Sequence, residues 1–521
     1  MILMRKYILV VVFVSGLVSL AVEMAASRLL GNYFGTSNLV WASIIGLILI
    51  YLTAGYFLGG RWADRSPTYK TLFRILAWAS LAIASIPLVS RPILRLAADA
   101  FDNLKLGVLA GSFVSVMILF IIPVTLLGMA SPFAIRLSIE DKESAGRISG
   151  QIYAISTLGS FIGTFLPVLV LTPLLGTYRS FLVIAAILMI VALAGLFLVN
   201  KWRGLLPYIW MPVVLLLLFF FGVPGTDKRT AGMIYEGESA YNYIQVLQEG
   251  DYTLLRLNEG QGIHSIYSPN TLNYNGPWEQ VISAPFFNPA PVMTDSITSA
   301  AIVGLAAGTT SRELFAVFPQ VTVDGIEIDP LIVEVGNRFF AMENKNLNVI
   351  IQDGRWALEN SPRLYDIISV DAYRPPYIPW HMTTREFFQI VYDHLDEDGV
   401  MVINVGRAPE DRRLVNTLAA TIQTVFPTIY ISDLSGSFNS LLFATKQETN
   451  IENFRANFVQ LLQDENTPPL LLEVMAATYE GLQPLPTSPG VILTDDRAPV
   501  EHITNSIIIS FLISGESESL E

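Results

Sequence analysis

Long apolar runs dominate the first 224 residues, whereas the rest of the chain alternates between short apolar and polar segments. A helix needs roughly 20 consecutive apolar residues to cross a bilayer. We predict seven spans of this length, over residues 7–30, 38–60, 72–90, 107–133, 151–175, 180–199 and 205–224. Because the first run leads directly into further spans, we expect it to be retained and not cleaved as a signal peptide. Residues 1–224 are therefore predicted to form a multispan α-helical membrane domain.

Residues 233–267 have a different pattern, with short alternating segments separated by turn residues. Alternation of apolar and polar positions is typical of half-buried strands, and glycine-containing breaks between them are typical of hairpins. We predict a small β-meander or a pair of hairpins here. It forms the core of a predicted β-domain over residues 225–290.

From residue 299 onwards, apolar runs of strand length alternate with amphipathic helical segments. The predicted strands cover residues 301–305, 321–328, 348–353, 365–371, 399–405, 428–434 and 440–446. The last two follow each other without a helix, which indicates an antiparallel hairpin at one edge. We predict a doubly wound, Rossmann-like α/β domain over residues 291–521, with its ligand at the carboxyl ends of the strands.

Charge divides the chain at the same place. Residues 1–224 hold 16 Lys and Arg against 7 Asp and Glu, whereas residues 225–521 hold 16 against 38. A domain with a net charge of −22 repels nucleic acid and attracts cations, so no nucleic-acid partner is expected. The chain has no cysteine, which excludes disulfides and thiolate metal sites, and we predict no metal site.

The charge distribution leaves the membrane topology open. Lys and Arg are more frequent in the connections on the N-terminal side, which places the N-terminus in the cytoplasm. Seven spans would then place the acidic half outside. A re-entrant segment, or an N-terminus outside the cell, would reverse its sidedness. We expect a multi-pass protein of the cell membrane in either case.

Two features of the membrane half invite alternative interpretations. Glu23 and Arg28 lie within or at the end of the first span, where charges are either structurally paired or functional, as in transport. Small residues at helical spacing in the second span favour close helix packing; they are Ala54, Gly55, Gly59 and Gly60.

Candidate chemistry lies at four successive strand ends of the α/β domain. Gly304 and Gly308 follow the first strand, and Glu327, Asp353 and Asp371 follow or end the next three. Each acid alone is more typical of a helix N-cap than of a ligand contact. Together they predict a nucleoside site, in which glycines admit the ligand and acids accept from ribose and adenine. The first loop has no Lys or Arg for a pyrophosphate, which favours an adenosyl ligand such as S-adenosylmethionine.

These residues belong to a longer series of motifs that resembles the spermidine synthase (polyamine aminopropyltransferase) family, in the membrane-bound variant with an N-terminal multispan domain. The motifs are "FVSGLVSLAVEMAASRLLG", "SAYNYIQV", "LRLNEGQGIHSIY", "VGLAAGTTSRE", "DGIEID", "QDGR", "YDIISVDAY", "MTTREFF" and "LTDDRAPVE". The resemblance implies a β-domain followed by a seven-stranded methyltransferase-type domain. It also implies transfer of an aminopropyl group from decarboxylated S-adenosylmethionine to putrescine or a related amine, with no tightly bound cofactor. A homodimer is a candidate assembly.

The resemblance also assigns roles to residues. Asp371 matches the proton acceptor, Glu327 the ribose ligand, and Asp353 with Gly354 the adenine contact. Further expected contacts to the donor or the amine are His264, Glu279, Tyr373, Arg374, Asp495 and Asp496. The prolines that follow Asp371 match a gating loop that closes over both substrates.

Three positions depart from the family pattern. Arg374 replaces a second acid of the loop, Ala307 replaces the acid that holds the donor's amine, and Pro277-Trp278 replaces a Tyr-His pair. Asp495, Asp496 and Glu501 would compensate from the C-terminal segment, or else they form a capped turn.

Two other functions therefore stay open beside aminopropyl transfer. The first is a methyltransferase that uses carboxylated S-adenosylmethionine on a membrane-presented acceptor, which Ala307 and Arg374 would tolerate. The second is a non-enzymatic polyamine sensor or a transport-coupled protein, for which Glu23 and Arg28 are the main support.

Overall fold

The computed structural model describes residues 2–34, 38–104, 108–139, 145–222, 227–258, 262–373, 378–486 and 490–514. The chain divides into two compact units. We call residues 1–230 with 238–240 the helical unit, and residues 231–237 with 241–521 the α/β unit. The predicted gating loop after Asp371 is described only in part. Arg374 and the prolines at positions 375 and 376 lie outside the described residues.

The described part of the helical unit is built from α-helices. They are α1 (Ile2–Phe34), α2 (Asn38–Arg65), α3 (Tyr69–Leu104), α4 (Val108–Gly128), α5 (Ala130–Ser138), α6 (Ala145–Leu166), α7 (Thr172–Leu205) and α8 (Trp210–Phe221). Five segments are long and apolar enough to cross a membrane: Met4–Phe34, Val40–Arg65, Tyr69–Ala97, Gly111–Ser138 and Ala145–Tyr208.

The last segments differ from the predicted spans. The fifth apolar segment is interrupted at Gly176, whose φ of 76° is non-helical, so the predicted spans 151–175 and 180–199 lie on either side of this break. The predicted span 205–224 contains α8, which has only 12 residues. Twelve residues rise about 18 Å, which is less than the roughly 30 Å of hydrocarbon that a spanning helix crosses.

Glycines let the helices of this unit approach closely. A Cβ atom on Gly159 of α6 would lie 2.0 Å from the Phe13 carbonyl oxygen of α1. The prediction of close packing in α2 is confirmed at Gly55 and Gly59, where a Cβ would meet the backbone of residues 125–129 within 3 Å. It is wrong at Gly60, where a Cβ would meet no atom of the described residues within 4 Å.

Two ion pairs hold the ends of the connecting segments within the helical unit. Arg28 Nε lies 3.1 Å from Glu238 Oε1, and Arg91 Nε lies 2.9 Å from Asp227 Oδ1. The backbone N–H of Thr177 also donates to Glu238 Oε2 at 3.2 Å. Arg28 therefore forms an ion pair, as the structural interpretation of this residue predicts. Its partner is 210 residues away in the sequence.

The α/β unit begins with the predicted meander. Its strands β1 (Met233–Glu238), β2 (Tyr243–Glu249), β3 (Tyr252–Leu257) and β4 (Ile263–Tyr267) form a sheet in sequential order. The pairs β2–β3 and β3–β4 are antiparallel. Side chains of this sheet pack on the α/β sheet's flanking helices through a cluster that includes Ile244, Leu255, Val335 and Phe340.

A larger sheet with helices on both faces follows. Its strands are β5 (Ser299–Val303), β6 (Thr322–Glu327), β7 (Leu347–Ile351), β8 (Tyr365–Val370), β9 (Leu395–Gly406), β10 (Thr428–Asp433), β11 (Asn439–Thr445) and β12 (Leu482–Gln483). The helices of the unit are α9 (Pro277–Gln280), α10 (Thr309–Val317), α11 (Pro330–Phe339), α12 (Gly354–Glu359), α13 (Arg385–His394), α14 (Arg413–Ile422), α15 (Ile451–Gln463), α16 (Pro469–Glu480) and α17 (Val500–Ser514).

The strand order is β12-β10-β11-β9-β8-β5-β6-β7. Strands β5 to β9 pair in parallel, while β10 and β11 form the predicted antiparallel hairpin. Separate apolar clusters cover the two faces of the sheet, which explains why its central strands are continuously apolar. The prediction of a Rossmann-like, methyltransferase-type sheet is confirmed. The two-residue strand β12 was not predicted, because it is too short to have a periodicity.

Candidate functional site

The site lies where the strand order reverses. Strand β5 has β6 on one side and β8 on the other, and Val303 at its end is in register with Ile326 and Val370. The residues that follow these three positions therefore emerge side by side. In open α/β sheets, ligands bind in the crevice at such a switch point.

The glycine loop after β5 passes very close to neighbouring backbone. Gly304 has a φ of 97°, and a Cβ on it would lie 2.5 Å from the carbonyl oxygen of Asp371. Gly308 has a φ of 80° and caps the start of α10. A side chain at either position would be strained by its backbone angle and would displace its neighbours. Both glycines are therefore required by the geometry of the loop.

Glu327 at the end of β6 is fixed against this loop. Its Oε2 accepts from Ala306 N at 2.9 Å, and its Oε1 accepts from Asp329 N at 3.0 Å. Burial raises the pKa of Glu327 to about 7. Each carboxylate oxygen can accept a second hydrogen bond, so the group retains acceptor capacity for a ligand's hydroxyls.

The two carboxylate oxygens of Asp353 have different partners, one at a helix N-terminus and one on a histidine. Its Oδ1 accepts from Trp356 N at 3.0 Å, so the N-cap interpretation is correct for this atom. Its Oδ2 lies 3.3 Å from Nε2 of His381. A Cβ on the next residue, Gly354, would lie 2.5 Å from Val303 Cγ1, so this glycine permits close packing of α12 on β5.

Asp371, directly after β8, is held by a short series of amides. Nδ2 of Asn404 donates to Asp371 Oδ1 at 3.0 Å, and Asn439 Nδ2 donates to Asn404 Oδ1 at 2.8 Å. Burial raises the pKa of Asp371 to about 6, although the Asn404 hydrogen bond acts in the opposite direction. A carboxyl group with this pKa is ionised at neutral pH and can still take a proton, as a general base must.

The hydroxyl group of Tyr373 forms two hydrogen bonds with the backbone at the end of β9. Its hydroxyl donates to the carbonyl oxygen of Asn404 at 3.0 Å and accepts from Gly406 N at 2.9 Å. These two bonds fix the start of the loop that follows β8 against the end of β9.

Of the two C-terminal acids, Asp495 pairs with Arg355, which is two residues after Asp353 in the sequence. Both oxygens of Asp495 accept from Arg355, at 2.8 and 2.7 Å, and this ion pair lowers the pKa of Asp495. Asp496 is exposed in the turn closed by Thr494 and Arg497. The negative charge of Asp495 is thus already matched by a guanidinium group.

His264 and Glu279 are buried at their polar ends, on β4 and α9. Among the described residues, His264 Nε2 has no hydrogen-bond partner, and burial lowers the pKa of this histidine to about 4. Glu279 Oε1 accepts from Gly276 N at 2.6 Å, and burial raises the pKa of Glu279 to about 7. The strand that carries His264 is joined to the glycine loop, because Ala307 N donates to Ser265 Oγ at 2.9 Å.

Ala307, which stands where the resemblance implies a donor-binding acid, has apolar surroundings. Ala307 is fully buried and belongs to the cluster that contains Ile244, Leu255 and Val335. A carboxylate at this position would need new polar partners.

Sequence reasoning missed three polar residues that the fold brings to this region. Asn404 interrupts an otherwise apolar strand, and this signal was present in the sequence. Glu313 of α10 is fully buried, and neither of its carboxylate oxygens has a partner among the described residues. Burial, and secondarily the charge of Glu279, raise the pKa of Glu313 well above its ordinary value. His381 had no local signal.

Comparison with known proteins shows which family the sequence around this site resembles. The model of the spermine/spermidine synthase domain matches residues 290–449. A probable polyamine aminopropyl transferase of Bifidobacterium longum is 33% identical over 283 residues, covering 52% of this chain and 61% of that protein. A polyamine aminopropyltransferase of Vibrio vulnificus is 28% identical over 211 residues, covering 38% of this chain and 66% of that protein.

The predicted resemblance to the spermidine synthase family is therefore confirmed, since residues 290–449 match the model of the spermine/spermidine synthase domain. The matched part spans less than two thirds of the length of each of these two relatives. The crystal structure of spermidine synthase from Thermotoga maritima is 22% identical, covers 47% of this chain and 84% of that chain, and has a TM-score of 0.39.

Proposed function

We propose that this spermine/spermidine synthase domain transfers an aminopropyl group from decarboxylated S-adenosylmethionine to putrescine or a related amine. The amine nitrogen attacks the carbon beside the sulfonium, and the carbon–sulfur bond breaks. Its electron pair returns to sulfur, which leaves as methylthioadenosine. The attacking nitrogen loses a proton, and a carboxylate must take it because only the neutral amine is a nucleophile.

The observation that carries this proposal is the position of Asp371. It lies at the switch point of the sheet, its backbone touches the glycine loop at Gly304, and its pKa of about 6 suits a proton acceptor. We assign the proton to Asp371 on these grounds.

We propose the following binding roles around it. Glu327 accepts from the ribose hydroxyls, and Asp353 with Gly354 contacts the adenine. Gly304 and Gly308 admit the donor to the backbone, with His264 on its other side. Contacts on the amine side are assigned to Glu279, Tyr373, Arg374 and Asp496. Asp495 acts on substrate binding through its ion pair with Arg355.

We also propose that the protein is a multi-pass membrane protein of the cell membrane. The domains are then a transmembrane domain over residues 1–224, a β-domain over 225–290 and a catalytic domain over 291–521. Five long apolar segments support this by length and composition. Extraction of isolated membranes with alkaline carbonate should leave the full-length chain in the pellet. Release into the supernatant would contradict a spanning protein.

Methyl transfer is a second candidate, and the surroundings of Ala307 favour it. An apolar, fully buried residue at this position gives the donor no carboxylate for its amine. Calorimetry with S-adenosylmethionine and with its decarboxylated form separates the two reactions. Binding of the carboxylated donor alone would overturn aminopropyl transfer.

Mutation of Asp371 tests the mechanism. Asp371→Asn removes the base but keeps the shape, so turnover of decarboxylated donor with a panel of amines should fall at least about 100-fold. Mass spectrometry of the products measures this. Methylthioadenosine binding should be retained, since the asparagine leaves the donor contacts in place.

Asp393→Asn is the matched control, because Asp393 is exposed on α13. It should retain the activity of the native protein. If Asp371→Asn also retains that activity, Asp371 is not the proton acceptor.

A further inference from the structure

His381 lies where a ligand's adenine would meet Asp353. It belongs to a short 3-10 turn, Trp380–Met382, and its Nε2 is 3.3 Å from Asp353 Oδ2. The other oxygen, Oδ1, is committed to the N-cap of α12. The two side chains are 31% and 38% exposed, so the pair lies at the surface of the protein and is not buried.

The backbone of His381 is held in place by a second set of contacts. Arg355 Nη1 donates to the carbonyl oxygen of His381 at 3.0 Å, and the same guanidinium makes the two-bond ion pair with Asp495. Thr384 Oγ1 donates to Asp495 Oδ1 at 2.7 Å. A guanidinium that makes parallel bonds to a carboxylate has a strongly defined orientation. The Arg355–Asp495 ion pair therefore fixes the backbone of His381 next to Asp353.

A carboxylate oxygen has two lone pairs and can accept two hydrogen bonds. If His381 donates from Nε2 to one of them, the carboxylate plane is fixed and the second lone pair remains for a donor on the ligand. The exocyclic amino group of adenine is such a donor. A 6-oxopurine has a carbonyl oxygen at the same position, which is an acceptor and cannot hydrogen-bond to the carboxylate.

We propose that His381 is a positioning residue for the adenosyl donor, and that it makes Asp353 selective for a 6-aminopurine. This inference rests on the proposed function, because it takes the ligand of Asp353 to be the adenine of that donor. His381 acts on binding of the donor and not on the displacement itself.

The test uses the full-length protein and two nucleosides, 5′-methylthioadenosine and its 6-oxo analogue 5′-methylthioinosine. Loss of one hydrogen bond should raise the Kd of His381→Ala for methylthioadenosine about 5- to 10-fold. The Kd for methylthioinosine should not change. His381→Gln, which can still donate, should restore most of the affinity. In turnover, the KM for the donor should rise while kcat at saturating donor stays within about twofold.

His394→Ala is the matched control. This histidine lies at the end of α13 and hydrogen-bonds the carbonyl oxygen of Ile390. It should bind both nucleosides as the native protein does. In Asp353→Asn, adding His381→Ala should have no further effect, because the two residues act through one oxygen.

Two results would overturn the inference: an unchanged Kd of His381→Ala for methylthioadenosine, or an equal loss for both nucleosides. Failure of the proposed reaction can be distinguished from failure of this inference. If the native protein binds methylthioadenosine but makes no polyamine, the reaction is refuted and the role of His381 is decided by the Kd values. If it binds neither nucleoside, both are refuted.

Discussion

At the scale of single residues, the pKa of Asp371 is set by two opposing influences. Burial raises the pKa because the carboxylate loses hydration, and the Asn404 amide lowers it because it donates to the ionised form. The result, about 6, leaves most molecules with an ionised base at pH 7. Asn404 is in turn oriented by Asn439. Strand β9 thus influences the pKa of Asp371 through one polar side chain.

Removing the Asn404 amide should move the pH dependence of turnover. In Asn404→Ala the burial of Asp371 remains but the hydrogen bond is lost, so its pKa should rise by about one unit. The acid limb of the kcat/KM profile, measured between pH 5 and 9, should move to higher pH by the same amount. Asn439→Ala, one bond further away, should produce a smaller shift. An acid limb that stays near pH 6 in Asn404→Ala would contradict this account.

The acids at strand ends could be predicted from the sequence, but their partners could not. Glu327 and Asp371 follow apolar runs directly and Asp353 follows one after a single glutamine, and a local pattern shows where such runs end. The contact between His381 and Asp353 joins residues 28 apart, and that between Arg355 and Asp495 joins residues 140 apart. Such contacts depend on how the elements pack, for which one sequence contains no signal.

At the scale of elements, the apolar pattern predicted strands well and helix ends less well. Every predicted strand of the large sheet is present, because parallel strands buried on both faces are apolar throughout. The break at Gly176 lies at the predicted boundary between the spans 151–175 and 180–199, where polar residues interrupt the apolar pattern. The predicted span 205–224 is less accurate, because hydropathy measures composition, whereas the α-helix found there, α8, has only 12 residues.

The contact between α1 and α6 predicts contrasting effects of two glycine substitutions. A Cβ on Gly159 would lie 2.0 Å from Phe13 O. One on Gly150, on the same helix, would have no atom within 4 Å in the part of the chain that the structure describes. Gly159→Ala should destabilise the protein by about 1–3 kcal/mol through overpacking. Gly150→Ala should be neutral or slightly stabilising, since alanine favours helices.

Thermal unfolding midpoints in detergent, followed by tryptophan fluorescence at one scan rate, measure both variants. The midpoint of Gly159→Ala should fall by several degrees relative to Gly150→Ala. Equal midpoints would mean that the two helices separate readily at this contact.

At the scale of the whole molecule, the excess of acidic residues and the burial of a few of them act together. Residues 225–521 hold 22 more acids than bases. Burial raises the pKa of Glu279 and Glu327 to about 7 and that of Asp371 to about 6. The folded state therefore binds more protons than the unfolded state between about pH 4.5 and 7. Its stability should be higher near pH 6 and fall as the pH rises through 7.

This pH dependence should weaken when one of these acids is neutralised. For Glu279 alone, the loss of stability between pH 6 and 8 is about 1 kcal/mol. Glu279→Gln should therefore reduce the difference between the thermal midpoints at these two pH values. Glu448→Gln, at an exposed position, is the control and should leave the difference as it is. A native protein that is equally stable at pH 6 and 8 would contradict the raised pKa values.

The division of the molecule into units was only partly predictable. The change in hydropathy and charge near residue 224 marks the end of the apolar half. Residues 238–240, however, belong to the helical unit, where Glu238 pairs with Arg28. That assignment depends on a contact across 210 residues, which local composition does not reveal.

The ion pair between Arg355 and Asp495 has a consequence for biosynthesis. Chains are translated at about 5–20 residues per second, so Asp495 is made roughly 7 to 28 seconds after Arg355. During this interval the nascent sheet can already place Glu327, Asp353 and Asp371 side by side, while the guanidinium beneath His381 has no carboxylate to orient it. The ion pair that supports the backbone of His381 is thus formed late, after the ribosome has passed the β10–β11 hairpin and helices α15 and α16.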